Sequence, residues 1–228
     1  MVTKTAVQGN GLTAKLGAVE HVTIAPPNFQ ELHLTIRGTA PYVQERFSNK
    51  AIDAIMDKQK AGSTAKKGTQ RKARDFEQDY QDAQHISEEG WHGIPAPNFR
   101  NAAIDACRAA GFVMTRAKMS IFILSDGIDR ADGSPLVRIN GEPQIHIAPT
   151  RNATGVCDLR ARPMWRSWSA LVRILYDGDQ FTATDVINLL ARAGTQVGIG
   201  AGRPFSKNSN GLGWGTFEIV TDSVADRP

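Results

Sequence analysis

The chain has 228 residues, a formal net charge of +4, 41% hydrophobic and 22% charged residues, and only 2 cysteines. That length and balance fit one elaborated domain over residues 1–228 that buries its own core, and two cysteines exclude a disulfide framework. The absence of a long apolar run and of a signal-like N-terminus (MVTKTAVQGNGLTAKLG) predicts a cytoplasmic protein without membrane contact.

Leu32, Leu34 and Ile36 alternate with His33, Thr35 and Arg37, the period of a half-buried strand whose polar face carries Arg37. Pro41 predicts a helix start, with Val43, Phe47, Ile52 and Ile55 on one side through Met56. A two-part charge run follows. Lys58–Arg74 holds seven Lys and Arg residues and no acid, whereas Asp75–Glu89 holds six acids and no Lys or Arg. The basic half is rich in Gly, Ser and Thr and cannot bury enough apolar surface to offset its ordering entropy. The segment at about 58–90 is therefore expected to be a mobile, thumb-like insertion, with Lys66, Lys67, Arg71 and Lys72 placed to neutralise phosphates.

Pro97–Ala110 reads as a helix, with Phe99, Ala103, Ile104 and Cys107 at helical spacing and Gly111 as its stop. Asn98 and Arg100 fall in the first turn, where free amides and the helix dipole favour an anion. Arg100 adds a planar fork, and His92 stands just before that turn. Met119–Leu124 reads as a buried strand and Asp126–Ser134 as a loop rich in Asp and Gly. Leu136–Ile139 and Gln144–Ala148 are expected to form a hairpin about Asn140-Gly141.

Arg160 and Arg162, with Arg151 and Arg166, surround Met164, Trp165 and Trp168 in a stretch whose only acid is Asp158. Arg beside Trp offers phosphate pairing together with base stacking. Trp168 is in phase with Ala170, Val172, Ile174 and Tyr176 on the apolar side of a strand, so it is assigned to the core, whereas Trp165 is a stacking candidate. Thr182 and Asp185 suit a helix start, Val186, Ile187, Leu189 and Leu190 its apolar face, and Gly194 its end.

Gly198–Phe217 then places six glycines, Arg203, Lys207 and Trp214 between apolar stretches. Gly200 and Gly202 let the backbone approach a phosphate, Arg203 and Lys207 supply charge, and Trp214 a stacking face. The spacing is neither a Walker loop nor a dinucleotide fingerprint. A final strand is expected at Thr216–Val220. Two halves, each strand, helix, strand, predict an α+β fold: a modified ferredoxin-like or RRM sheet with helices on one face and the long charged insertion.

Nothing asks for catalysis. The five histidines show no HExxH spacing and none stands at metal-ligand spacing from an acid. No GxSxG is present. Asp126, Asp129 and Asp132 begin like a calcium loop that the later residues do not complete. No catalytic residue, metal or cofactor is expected.

Two segments resemble the RAMP superfamily, the backbone and RNA-processing proteins of CRISPR effector complexes. Gly93–Arg108 is similar to that family's I-P-(G/A) segment at Ile94, Pro95, Ala96, Asn98, Phe99, Arg100 and Asn101. The loop Gly198–Gly215 resembles its glycine-rich loop, which ends here in Leu212, Gly213, Trp214, Gly215 and Phe217. The resemblance implies a helix start that faces a guide strand. The expected function is a non-catalytic protein that binds single-stranded nucleic acid, a guide RNA in particular or single-stranded DNA. It would coat the strand as a repeating subunit, in a helical or filamentous assembly with copies of itself and other effector subunits. The alternative is a self-assembling phage structural protein whose basic arm contacts DNA or neighbouring subunits.

Overall fold

The computed structural model describes residues 25–46, 56, 57, 60, 75–151, 157–206 and 211–220. In chain order come β1 (Phe29–Gly38), β2 (Tyr42–Val43), α1 (Phe76–Asp82), β3 (Gly93–Pro95), α2 (Ala96–Ala109) and α3 (Met114–Ser120). Then follow β4 (Ile121–Leu124), β5 (Gly127–Ile128), β6 (Pro135–Asn140), β7 (Gln144–Arg151), β8 (Cys157–Trp165), β9 (Ser169–Asp177), α4 (Ala183–Arg192) and β10 (Phe217–Ile219). The fold is α+β, with antiparallel sheets. No helix among the described residues is long and apolar enough to cross a membrane.

The larger sheet runs β10-β1-β9-β6-β3, with β5 beside β6. Both β4 and β6 pair with the edge of β9 that faces away from β1, β4 along Arg173–Tyr176 and β6 along Ser169 and Ala170. Ile36 on β1 and Ala170, Val172, Ile174 and Tyr176 on β9 point to one side and are buried, as their alternation predicts. Against that side pack Phe99, Ala103 and Cys107 of α2 and Val186, Leu189 and Leu190 of α4. Full burial of a ring such as Phe99 contributes about 1.5–3 kcal/mol.

Local signals explain the helix ends. Pro95 and Pro97 open α2, and Gly111 with φ +73° follows its last turn. The Thr182 hydroxyl accepts from Asp185 N at 3.2 Å, and the Asp185 carboxylate accepts from Thr182 N at 3.0 Å, a complete capping box on α4. Gly194 does not stop α4. The chain continues through a π-helical turn, Ala193–Val197, and Gly198 at φ +71° ends it. Gly194 is required for another reason: a Cβ there would stand 2.2 Å from the backbone oxygen of Phe217 on β10.

Three further expectations need correction. Pro41 opens no helix: Tyr42 and Val43 are extended, buried and paired with Trp165 and Met164, a pairing local propensity does not reveal, and residues 47–55 lie outside the described set. Residues Met119 and Ser120 end α3, so the strand begins only at Ile121. Finally, Asn140-Gly141 does not close a hairpin. β6 pairs with β9 and β3, and β7 with β8, so the two strands belong to different sheets.

What occurs at Gly141 is a change of sheet. Asn140 lies opposite Ser169 and Gln144 opposite Met164, so four steps on one strand face five on the other. The extra residue bends the ribbon, as a bulge does. Past the bend the second sheet has the order β2-β8-β7. Gly141 has φ +116°, and a Cβ there would meet the Ser167 oxygen at 2.5 Å.

The two sheets are joined by rings. Tyr42 lies 5.5 Å from Trp165 and 5.6 Å from Trp168, and Trp168 lies 6.2 Å from Phe217. The Trp168 indole N–H donates to Ala40 O at 2.9 Å. Its ring lies on Gly38, where a Cβ would stand 2.1 Å from Nε1.

Gly→Ala inside a helix ordinarily gains about 1 kcal/mol. At Gly194 the sign should reverse, because the obstructing atom is backbone of the neighbouring strand. Urea denaturation of Gly194→Ala is expected to show a loss of stability; a gain would mean that β10 does not abut the π turn.

Candidate nucleic-acid interface

Beyond the bend, the β7–β8 ladder sorts its side chains by alternation. Gln144 stands opposite Met164, His146 opposite Arg162 and Ala148 opposite Arg160, all on one face. On the other face Ala161 and Pro163 are buried, and α1 lies over β8. Asp75 caps α1 by accepting from Glu77 N and Gln78 N at 3.1 Å, and the Tyr80 hydroxyl donates to Pro143 O at 3.3 Å. The acidic half of the expected insertion thus begins as a helix packed on the second sheet, and after Asp82 it continues in turns and in the bridges Ile86–His92 and Ser87–Asp129.

The open face is basic. Arg162 donates to Glu45 at 2.6 Å, Arg160 has the same Glu45 oxygen at 3.8 Å and Asp158 at 3.7 Å, and Arg166 donates to Gln144 Oε1 at 3.1 Å. Two guanidinium groups, Arg160 and Arg162, therefore share the carboxylates of Glu45 and Asp158, while Arg166 is met by a neutral amide oxygen. Burial, with Arg160 alongside, lowers the Arg162 pKa while Glu45 opposes it, and Arg stays charged regardless. The Arg160 contacts are exposed and contribute about 0–1 kcal/mol each, so an incoming phosphate could take over that donor at little cost, whereas the Arg162 side chain is only 16% exposed.

His146 sits among the arginines with its ring edge-on to Trp214, 5.3 Å between centroids. Burial lowers its pKa first, and Arg166 and Arg162 lower it further. Its Nε2 is buried without a hydrogen-bond partner. Trp214 thereby attaches the glycine-rich loop to this face. The outward face of the larger sheet differs: Arg37 pairs with Glu218 at 2.6 Å, Arg173 with Asp126 at 3.0 Å and His33 with Glu31 at 2.7 Å. There each of these three basic groups has its own acid.

The structure distributes the sequence candidates unevenly. Arg160, Arg162 and Trp214 come together around His146, which sequence reading passed over, and Arg166, grouped with these arginines in the sequence, joins them through Gln144; the alternation of β7 would have found His146 once its register with β8 was known. Trp165 is fully buried and unavailable for stacking. His92 faces it edge-on at 5.7 Å, with Nδ1 buried and unpartnered and its pKa lowered chiefly by burial. Arg100 donates to Ile121 O at 2.9 Å and to Lys118 O, and lies over Phe122 at 5.3 Å, so its fork ties α2 to the α3–β4 junction. Lys66, Lys67, Arg71, Lys72 and Lys207 lie outside the described residues.

The glycine loop is folded onto itself and onto β2. The amides of Ile199, Ala201, Trp214 and Gly215 donate to Gly215 O, Val43 O, Gly202 O and Pro41 O. A Cβ at Gly200 (φ +74°) would meet Val43 O at 2.5 Å, and one at Gly202 would meet the Trp214 ring at 2.7 Å. These glycines are explained by packing. Arg203 donates to Gly200 O at 3.1 Å and to Phe205 O at 3.2 Å. Asn98 and Arg203 line a cleft of about 40 Å³ between α2 and this loop, and Asn98 also reaches the buried Tyr42 hydroxyl. That volume suits a water molecule, not a nucleotide. A wider pocket of about 370 Å³ opens between α2 and α4, lined by Phe112, Phe181 and Arg192 among others. Among the described residues one group, His85, Asp129 and Asp132, has metal-ligand chemistry, and it lies apart from the basic face.

No protein-family model matches the chain, and no curated protein is significantly similar to it.

His146 and His92 are held below the ordinary histidine value, so the unfolded chain takes up their protons first as pH falls. Their contribution to stability is whole above about pH 6.5 and declines as pH falls from there towards the folded values. Urea melts between pH 7.5 and 5 should show this loss, and His146→Gln should flatten it. An unchanged pH profile in that variant would mean that His146 is solvated.

Proposed function

We propose that the protein binds single-stranded nucleic acid without cutting it, and that the strand lies along the β7–β8 face. The observation that carries this reading is the set Arg160, Arg162 and Arg166 on one face, with two acids between them and Trp214 at the margin. Guanidinium groups supply phosphate pairing, and an indole at the margin supplies a surface for a base; a base stacked on an aromatic ring contributes about 1–3 kcal/mol. Both contacts tolerate any sequence.

The topology supports a ferredoxin-like reading of the larger sheet. β1 leads through α2 to β4, β9 leads through α4 to β10, and the antiparallel order β10-β1-β9-β4 is the one that fold requires. On this reading β2, β7 and β8 are an elaboration that carries the basic face. The RAMP-like segments fall at the start of α2 and in the loop before β10. Coating a long strand requires many copies, because a fold of this size covers few nucleotides; self-association along the strand belongs to the same proposal.

Fluorescence-anisotropy titration of labelled single-stranded RNA and DNA across a salt series tests it. Replacing Arg160, Arg162 and Arg166 together by Ala should weaken binding on all sequences and reduce the salt slope by about 0.7 per lost phosphate contact. Trp214→Ala should weaken binding with little change in that slope. If the wild-type chain binds neither strand, or the triple variant keeps its affinity and slope, the reading fails and a structural role in a self-assembling particle is favoured.

A further inference from the structure

Forty-four residues apart in sequence, His85 and Asp129 meet in a polar centre behind the second sheet. The His85 ring Nδ1 is 2.7 Å from Asp129 Oδ2, and both side chains are buried. The other Asp129 oxygen accepts from Ala131 N at 2.8 Å, and Asp132 accepts from Ser134 N at 2.9 Å. A ring nitrogen of His85 and one carboxylate oxygen from each aspartate all lie within 4.8 Å of one another. The backbone holds these groups in place: Arg130 N donates to Ile86 O at 3.0 Å, Glu88 N to Ile128 O at 3.2 Å, and His85 N to the Gln44 side chain at 2.9 Å.

The positive charge that faces the two aspartates is Arg46, and it fits poorly. Its side chain is only 10% exposed, yet its contacts are 3.4 Å to Asp132, 3.5 Å to Gln84 O and 3.9 Å to Asp129. A well-seated guanidinium lies about 2.7–2.9 Å from its carboxylate. Nη2 is buried with no hydrogen-bond partner at all. Buried charges offset their desolvation only when the geometry is good. Here two carboxylates, one fully buried, are neutralised by one badly placed cation, and the rigid part of the centre is the His–Asp–Asp set.

We propose that His85, Asp129 and Asp132 form a binding site for a first-row divalent cation of the manganese or zinc type, and that Arg46 is a displaceable counter-ion occupying its place. One imidazole and two carboxylates suit such ions, whereas magnesium and calcium prefer all-oxygen sets. Closing the three donors onto a metal requires small side-chain movements and the outward swing of one long side chain. The bound ion would tie the loop after β5 to the segment that follows α1, independently of any nucleic acid.

Manganese binding to the full chain, followed by loss of the free-ion paramagnetic signal, and zinc binding by calorimetry both test this. Wild type should take up one ion saturably. Asp132→Ala, at the accessible end of the centre, should weaken binding at least tenfold while the metal-free melt stays near wild type. Arg46→Met removes the competitor and should bind at least tenfold more tightly, with a melting temperature that rises on adding metal. No saturable uptake by wild type and Arg46→Met, or uptake unaffected by Asp132→Ala, would overturn the site.

Discussion

The Trp168 indole is the joint on which the rest of the structure depends. It stands where the chain passes from β8 into β9, lies against Gly38, donates to Ala40 O and touches both Tyr42 and Phe217. Those four partners come from the end of β1, the link to β2, β2 itself and β10. One side chain thus fixes the angle between the two sheets and the position of the last strand. Gly38 N also donates to Trp168 O at 2.9 Å, so the backbone is held where the ring is held. Because interiors are close-packed, a ring seated between elements transmits position and does more than fill space. The orientation of the β7–β8 face relative to α2 and the glycine loop follows from this contact.

That arrangement also explains why charge on this molecule has to be read by surface. The net charge of +4 is small. On the larger sheet, pairing of Arg37, Arg173 and His33 with adjacent acids leaves little field for an anion to sense. On the second sheet the same residue type is in excess over acid, and burial of Arg162 and His146 lowers the local dielectric and strengthens what field remains. The proposed function draws on that difference between the two sheets.

Sequence reading recovered what period and capping encode. β1 and β9 follow from alternation, α2 from its apolar spacing, and the start of α4 from Thr182 and Asp185, because each signal is local. It misread Asn140-Gly141 because a turn dipeptide specifies a backbone shape and not which strands pair on either side of it. It misread Pro41 because Tyr42 and Val43 are extended by a partner more than a hundred residues away. Trp165 and Gly200 were legible as special but not as to purpose: glycine marks a close approach without naming what approaches, and here the neighbours are the Val43 carbonyl oxygen and the Tyr42 ring. The His85–Asp129 pairing crosses forty-four residues and leaves no spacing signature.

Three consecutive residues after β2 point in alternate directions with separate tasks. Gln44 reaches inward to Gly93 O and His85 N, Glu45 outward to Arg160 and Arg162, and Arg46 back toward Asp129 and Asp132. The segment is therefore a register key. Deleting or inserting a single residue between Val43 and Arg46 would exchange the two sides, setting a carboxylate against carboxylates on one and a guanidinium against guanidiniums on the other. A substitution disturbs one side at a time, at Gln44 by leaving Gly93 O and His85 N without their partner; a change of length disturbs both sides at once. Evolution of this chain should accordingly tolerate drift in the identity of these residues far more readily than drift in their number.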